Sequence, residues 1–512
     1  MASTKHGDAL EAIGRASDQW VEEPGKPQTV IERYRTYDPE HAAEAEKRLV
    51  RKIDLRILPF VLVIYICNYL DRNSITQARL YGMQKDTGTN GTLWNTAISI
   101  FSAGYIAMQL PSPMIMSKLP PSLFLPCCMI LWAIVSGCTA ATNSPASLFA
   151  VRFFLGIVEA PFFPGAIYFL SCWYTKREIG IRMALLVSGI VLSNAFAGLL
   201  SAAILSGMDG RTSLASWRWL FIIEGLMTIA VALVAMAFLP NYPATTKWLT
   251  EEEKTIAQAR LLKDMGAEDA TEEEDTSLMR GLSAAVKDYR VWIFACMQMA
   301  TTASISYSHF FPTLIKELGF SDNLLVLLLT SPPYLLAFFW SIGFSWHADR
   351  SQKRSPHASI SMSTAIMATI VLIAVPYKYQ WVRYAFTFPL TAGIFGVYST
   401  TYAWLSSTIV MPRTKRAAAI GLANLCANVA SLYGNYFWLD EYEPTFQVSW
   451  GILLAFQVLG LGCILSLRFL LKRSNRQFEE LSSRVSEINA AQLAELDPVE
   501  QNAVVGGFRY IT

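Results

Sequence analysis

The chain has 512 residues, of which 53% are hydrophobic and only 16% charged, with a formal net charge of +2 and a mean hydropathy of +0.32. An ordinary soluble domain carries roughly 25% charged residues, so this composition indicates a polytopic membrane protein, and the near-neutral charge gives no sign of nucleic-acid binding. The eight cysteines (67, 127, 128, 138, 172, 296, 426 and 463) all lie in or beside apolar segments, with no CxxC pair. They read as small membrane-helix residues, not as a disulfide framework or a metal site.

The first fifty residues are polar and contain no apolar core after a basic start, so no cleaved signal peptide is expected. About twenty apolar residues cross a bilayer as a helix. Twelve such runs follow, at roughly 57–76, 93–116, 123–142, 147–171, 183–206, 217–239, 291–313, 323–346, 358–376, 382–408, 417–438 and 449–471. The expected fold is an all-α membrane protein of twelve transmembrane helices in two six-helix bundles. The expected organisation is an N-terminal tail (1–56), a first bundle (57–239), a linker (240–290), a second bundle (291–471) and a C-terminal tail (472–512). The linker carries TEEEK and then AEDATEEED, which reads as a solvated segment or surface helix.

Lys and Arg gather in the loops on one side, among them Lys47, Arg48, Arg51, Lys176, Arg177, Lys353, Arg354, Lys415 and Arg416, while LDEYEPTF on the other side is acidic. The positive-inside rule then places both termini and the linker in the cytosol. The halves repeat weakly: RMALLVSGIVLSN from Arg182 aligns with RAAAIGLANLCAN from Arg416, each ending in an asparagine, Asn194 and Asn428. Transporters built from repeats place the substrate at the midplane repeat interface.

In the first span, Asp71 and Arg72 lie near the outer end, with Asn68 and Tyr65 about one and two turns below on the face of Arg72. Substrate or proton handling is one reading; a snorkelling interfacial arginine with a capping aspartate is the other. In the fourth span Arg152 and Glu159 stand seven residues apart in SLFAVRFFLGIVEAPFFPGAIYFL, nearly two helical turns, so both share one face. Charges at that depth cost about 2.5–3.5 kcal/mol each and mark function. A fixed cation beside a titratable acid suits an organic anion exchanged with a proton; a buried structural ion pair is the competing reading. Glu224 reads as structural. His309 joins either a proton relay or a satisfied core. Asn424, Asn428 and Asn435 form a polar stripe that serves either helix contacts or a ligand. Tyr307 is a candidate cavity wall. Asp349 and Arg350 in WHADRSQKRSPH read as a gate, and Asn90 begins a glycosylation sequon whose use is left open by its closeness to the second span.

NYLDRNSI with ARL, RFFLGIVEAPFFPGAIYFLSCWYTKRE and the PPY…WHADR…R block resemble the anion:cation symporter family of the major facilitator superfamily, and look most like its fungal allantoate- and nicotinate-permease branch. The resemblance covers about 50–475. It implies proton-coupled import of a small vitamin-like or ureide-like carboxylate such as nicotinate, pantothenate or allantoate, at a plasma membrane. It also implies anion clamping by Arg72 and Arg152 and proton handling by Glu159 and Asp71. Read from spacing and position instead, the expected substrate site further includes Tyr65, Asn68, Asn194, Tyr307 and Asn428, with His309 on the proton path and Asp349 and Arg350 at the gate. Protons, the anion and the bilayer are the expected partners; no cofactor, metal, nucleic acid, obligate protein partner or enzymatic activity is expected. Relatives carry glycine after E-A, whereas here Ala160 is followed by Pro161, which predicts a kink in the fourth span. A same-fold exporter of an acidic secondary metabolite would present the same residues. A non-transporting nutrient receptor calls for a long cytosolic tail, and only about forty residues follow the last span.

Overall fold

A computed structural model of the chain describes residues 27–109, 121–211, 213–264, 278–376, 378–409, 413–483 and 510. Twelve long helices follow the twelve apolar runs in order: α1 (Pro39–Ala78), α2 (Thr92–Gln109), α3 (Pro121–Cys138), α4 (Pro145–Glu159, resumed over Phe162–Ser171), α5 (Lys176–Met208), α6 (Ser216–Phe238), α7 (Tyr289–Ile305, resumed over Phe311–Glu317), α8 (Asn323–Ser351), α9 (Arg354–Ala374), α10 (Gln380–Thr408), α11 (Arg413–Gly434) and α12 (Gln447–Ser483). Nine of them are long and apolar enough to cross a membrane by length and composition alone; α2, α7 and α10 are the others. The described part of α2 is short, α7 is interrupted by a 3-10 turn over Ser306–Phe310, and α10 buries Arg383, Thr387, Thr391, Thr400 and Thr401. A helix surrounded by its neighbours tolerates such polar groups because they find partners inside the bundle.

Local chemistry sets the helix ends. Asp38 caps α1 by accepting the His41 N–H, and Pro39 occupies the first turn, where its missing N–H costs nothing. Ser144 and Ser147 form a capping box at the start of α4, again ahead of a proline. Where a kink is expected, at Pro161, α4 is interrupted by a two-residue turn, Ala160–Pro161, with helical backbone angles, and it resumes at Phe162. Helix α1 starts well before its apolar run, and α12 runs on past its own. The early part of α1 lies against the linker helix Glu251–Asp264, tied by Lys52 to Glu253 at 2.7 Å, while Arg56 rests on the Trp248 ring at 4.6 Å.

Within the first half α2 packs on α4, α3 on α6 and α1 on α5; within the second, α7 packs on α11 and α12, and α9 and α8 on α10. The halves meet along α5 with α8 and α2 with α11. Glycine makes two of these seams. A Cβ on Gly156 would stand 2.1 Å from the Phe101 carbonyl oxygen, and one on Gly198 would stand 2.2 Å from Thr330 Oγ1.

The ends of the bundle differ. At the face that carries the linker, the ion pairs among the described residues include Arg182 with Asp54 (2.7 Å), within one half, and Arg260 with Glu178 (3.0 Å) and Lys415 with Asp288 (2.8 Å), which join a half to the linker. At the far face the halves are bonded to each other. Asp440, between α11 and α12, accepts from Arg79 Nη2 (2.8 Å), Gln84 Nε2 (3.0 Å) and the Gly91 N–H (3.1 Å), all in the α1–α2 connection. Asn95 adds bonds to the carbonyls of Asn435 and Trp438, both 3.0 Å. The far face is therefore closed.

Gly156→Leu should force α2 and α4 apart, against a usual overpacking cost of about 1–3 kcal/mol. The expected result is a drop of several degrees in the Tm of the purified protein, or loss of a monodisperse species. Gly343→Ala, with nothing within 4 Å of its Cβ, should leave Tm unchanged.

Candidate functional site

Between the halves lies a cavity of about 130 Å³. Its two walls differ in chemistry. The first half contributes Arg72 and Arg152 with Tyr69, Phe101 and Tyr105; the second contributes uncharged polar groups, Asn424, Asn428, Asn435, Ser306, Ser308 and the imidazole of His309.

Arg72 donates from Nε and Nη2 to one oxygen of Glu159, at 3.0 and 2.9 Å. Its guanidinium lies over the rings of Phe101 (4.6 Å), Tyr69 (4.7 Å) and Tyr105 (5.2 Å), a contact that favours a cation where water is scarce. Arg152 and Glu159 share the buried face of α4, as their spacing requires, yet they do not pair. Glu159 is turned to α1. Arg152, only 2% exposed, donates from Nη1 and Nη2 to the Arg72 carbonyl at 3.3 Å each, and its Nε has no partner. Among the described residues Arg152 forms no ion pair. Desolvating an ion costs several kcal/mol; here the direct contacts are a backbone carbonyl and the face of Phe101, at 5.4 Å, with the Glu159 charge acting from further off. Between α1 and α4 the site thus brings together two guanidinium groups, Arg72 and Arg152, and one carboxylate, Glu159.

Asn68 is buried with its amide toward the Glu159 carboxylate and does not line the cavity. Asp71 faces away from the cavity: its carboxylate accepts from Trp132 Nε1 (3.1 Å) and Thr228 Oγ1 (2.9 Å) on α3 and α6. Glu224 lies in that same layer, against the hydroxyl of Ser74. Tyr65 is buried among Tyr69, Phe162 and Phe163, and Tyr307 donates to Thr391 at 2.9 Å; neither lines the cavity. Asn194 and Asn428, the paired asparagines of the internal repeat, do line it, from opposite walls. Asn194 accepts from Asn73 Nδ2 at 3.0 Å, and Asn428 donates to Gln109 at 3.1 Å. His309 faces the cavity from the break in α7 and bonds Asn435 at 2.7 Å. Arg350, at the linker-face end of α8, is exposed against Trp346 at 5.6 Å; the Asp349 side chain lies outside the described residues. Asn90 is exposed at the far face.

Several lining residues escaped the sequence reading. Asn73 adjoins Arg72 in the same DRN triplet, and Phe101 and Tyr105 stand one helical turn apart on α2. A search for aromatics at i, i+4 opposite a buried arginine would have found the last two.

A chain of twelve helices in two packed halves around a charged central cavity is the form of a membrane transporter. The sequence profile of the Major Facilitator Superfamily matches residues 61–435, and the chain belongs to that family, which is one of transporters and not a class of enzymes. Relatives include the MFS-type transporter cnsO of Penicillium expansum, 30% identical over 92% of this chain and 91% of that protein. A putative tartrate transporter of Agrobacterium vitis is 30% identical over 79% of this chain and 91% of its own length. Among solved structures, a bacterial homolog of the human lysosomal transporter Spinster, inward-facing and unoccupied, superposes with a TM-score of 0.63 at 15% identity, over 81% of this chain and 97% of that one. A D-xylose–proton symporter superposes with 0.62 at 13% identity, over 81% and 97%. At those identities the structures speak for the fold alone.

An unpaired buried cation destabilises the protein that holds it, whereas removing one partner of a buried pair costs about 3–5 kcal/mol. Arg152→Met is therefore expected to keep or raise the Tm of the ligand-free protein, and Glu159→Leu to lower it by several degrees. An equal loss in both would contradict this reading of the charges.

Proposed function

We propose that this protein is a secondary active transporter that imports a small organic anion together with protons, by alternating access of the central cavity. The substrate class is a vitamin-like or ureide-like carboxylate such as nicotinate, pantothenate or allantoate. The observation that carries the reading is Arg152, a buried cation on the cavity wall whose own acid, Glu159, is committed to Arg72. An anion arriving between the two arginines supplies the missing charge and competes with Glu159 for Arg72. A buried carboxylate that loses its counter-ion binds a proton, so anion and proton travel together. The uncharged second wall fits a substrate with a single charged end. The cavity of about 130 Å³ is on the scale of the roughly 150 Å³ that holds benzene, so a carboxylate of this class enters as the halves move apart. Similarity to two putative tartrate transporters of Agrobacterium vitis accords with an organic anion.

In this scheme Arg72 and Arg152 bind the carboxylate, and Asn194 and Asn428 touch its body from the two walls. Glu159 carries the proton, with His309 beside it. Asp71, held by Trp132 and Thr228 behind α1, acts on the orientation of Arg72, its chain neighbour, and shares in proton handling through that layer. The two halves, 57–239 and 291–471, are the moving units, joined by the linker 240–290, with Asp349 and Arg350 at the linker-face mouth of the second. The tails, 1–56 and 472–512, and the linker lie in the cytosol, as the loop cations require, and the membrane is the plasma membrane.

The test is uptake of radiolabelled nicotinate, pantothenate and allantoate into cells expressing the chain, at about pH 5 and pH 7.5. One of the three is expected to accumulate faster at acid pH, and Arg152→Ala to lower that uptake roughly ten- to hundredfold, the weight of a charged hydrogen bond. No uptake of any of them, with the protein at the cell surface, would overturn import of this substrate class and move the reading to export of an acidic metabolite.

A further inference from the structure

Asn435 connects two places that the transport scheme treats separately. It is 1% exposed, lines the cavity, and stands where α11 gives way to the turn that carries Trp438 and Asp440. Every polar group of its side chain is used. Nδ2 donates across the halves to Ser99 Oγ on α2 (3.1 Å) and back to the Ser431 carbonyl (2.9 Å). These two bonds identify the amide nitrogen, so the remaining oxygen, Oδ1, is the acceptor for His309 Nδ1 at 2.7 Å. Its main-chain carbonyl accepts from Asn95 Nδ2, again from the other half. A neutral imidazole that donates from Nδ1 keeps a lone pair on Nε2, and His309 lies on the cavity wall.

We propose that Asn435 is a positioning residue that ties the imidazole of His309, inside the cavity, to closure of the far face. Its amide can keep the bond to Ser99 only while its oxygen points at His309, because the two ends of one planar group turn together. A change at the imidazole ring therefore reaches the α2–α11 seam through a single side chain. The Asp440 cluster then closes the same seam one step further out. This rests on the reading of the cavity as the transport site, but its test needs no substrate, so failure of the coupling and failure of anion transport give separate results.

The experiment places spin labels on Asn90→Cys and Glu441→Cys, both exposed on the far face and one on each half, in a chain with its eight native cysteines replaced. Distances are read by double electron–electron resonance in lipid nanodiscs. Asp440→Asn is the control that must add a longer-distance population. Ser99→Ala, which removes only the bond across the halves, is expected to raise that population about fivefold, the weight of one hydrogen bond, and Asn435→Ala to raise it at least as much. The decisive variant is His309→Ala. It should open the far face when Asn435 is present and add nothing in the Asn435→Ala background, the non-additivity of residues acting through one another. A purely structural asparagine would give independent, additive effects. Additive effects, or a His309→Ala distribution equal to the parent while Asp440→Asn opens, would overturn the proposal. Should Asn435→Ala fail to fold, the same cycle run between His309→Ala and Ser99→Ala decides the matter.

Discussion

Two guanidinium groups and one carboxylate, buried together between α1 and α4, set the terms for the rest of the molecule. Arg72 is neutralised by Glu159 and covered by three aromatic rings; Arg152 is left with a carbonyl and a ring face. A bundle optimised for stability alone would not hold a charge this way, because well-packed apolar residues are often as good as or better than buried ions. Buried charges inside a membrane bundle generally mark function, and in the proposed scheme the missing counter-ion is the substrate.

The surrounding fold keeps that imbalance in place. Close glycine contacts bring α2 within touching distance of α4, so that Phe101 can lie against both arginines at once. The break at Ala160–Pro161 comes directly after Glu159 and ends the first segment of α4 there. The opposite wall is neutral, rich in asparagine and serine, and in the proposed alternating-access scheme it is the wall that slides past the first. Uncharged hydrogen-bonding groups exchange partners at lower cost than ion pairs at low dielectric. Among the described residues the ion pairs of Arg79 with Asp440 and Glu443 join the halves at the far face, where water can replace them in the proposed scheme.

Much of this was legible before any coordinates. Twelve apolar runs give twelve helices because a bilayer demands about twenty such residues per crossing. The interruption of α4 falls at one proline, Pro161, and the shared face of Arg152 and Glu159 follows from seven residues of helical spacing. What spacing cannot give is the partner on another helix. Glu159 turns to Arg72, 87 positions away in the chain, and Asp71, one residue from Arg72, points out of the cavity to Trp132 and Thr228. Neighbours in sequence diverge by about 100° on a helix; which of the two faces the cavity depends on how α1 is rotated against α3, α4 and α6. The same limit applies to Tyr65 and Tyr307, aromatic residues in the right spans but turned into packing. The internal repeat was more informative, since Asn194 and Asn428 do reach one cavity from two sides.

The most direct measurement of the central claim is proton movement in liposomes that contain the purified protein and a trapped pH indicator, with the transported carboxylate added outside at equal pH. Entry of the anion through the parent protein should acidify the interior, and through Glu159→Gln the anion should exchange across the membrane without any pH change. Acidification that persists undiminished in Glu159→Gln would show that the proton travels by another group, and that the competition between substrate and Glu159 for Arg72 is not the coupling step.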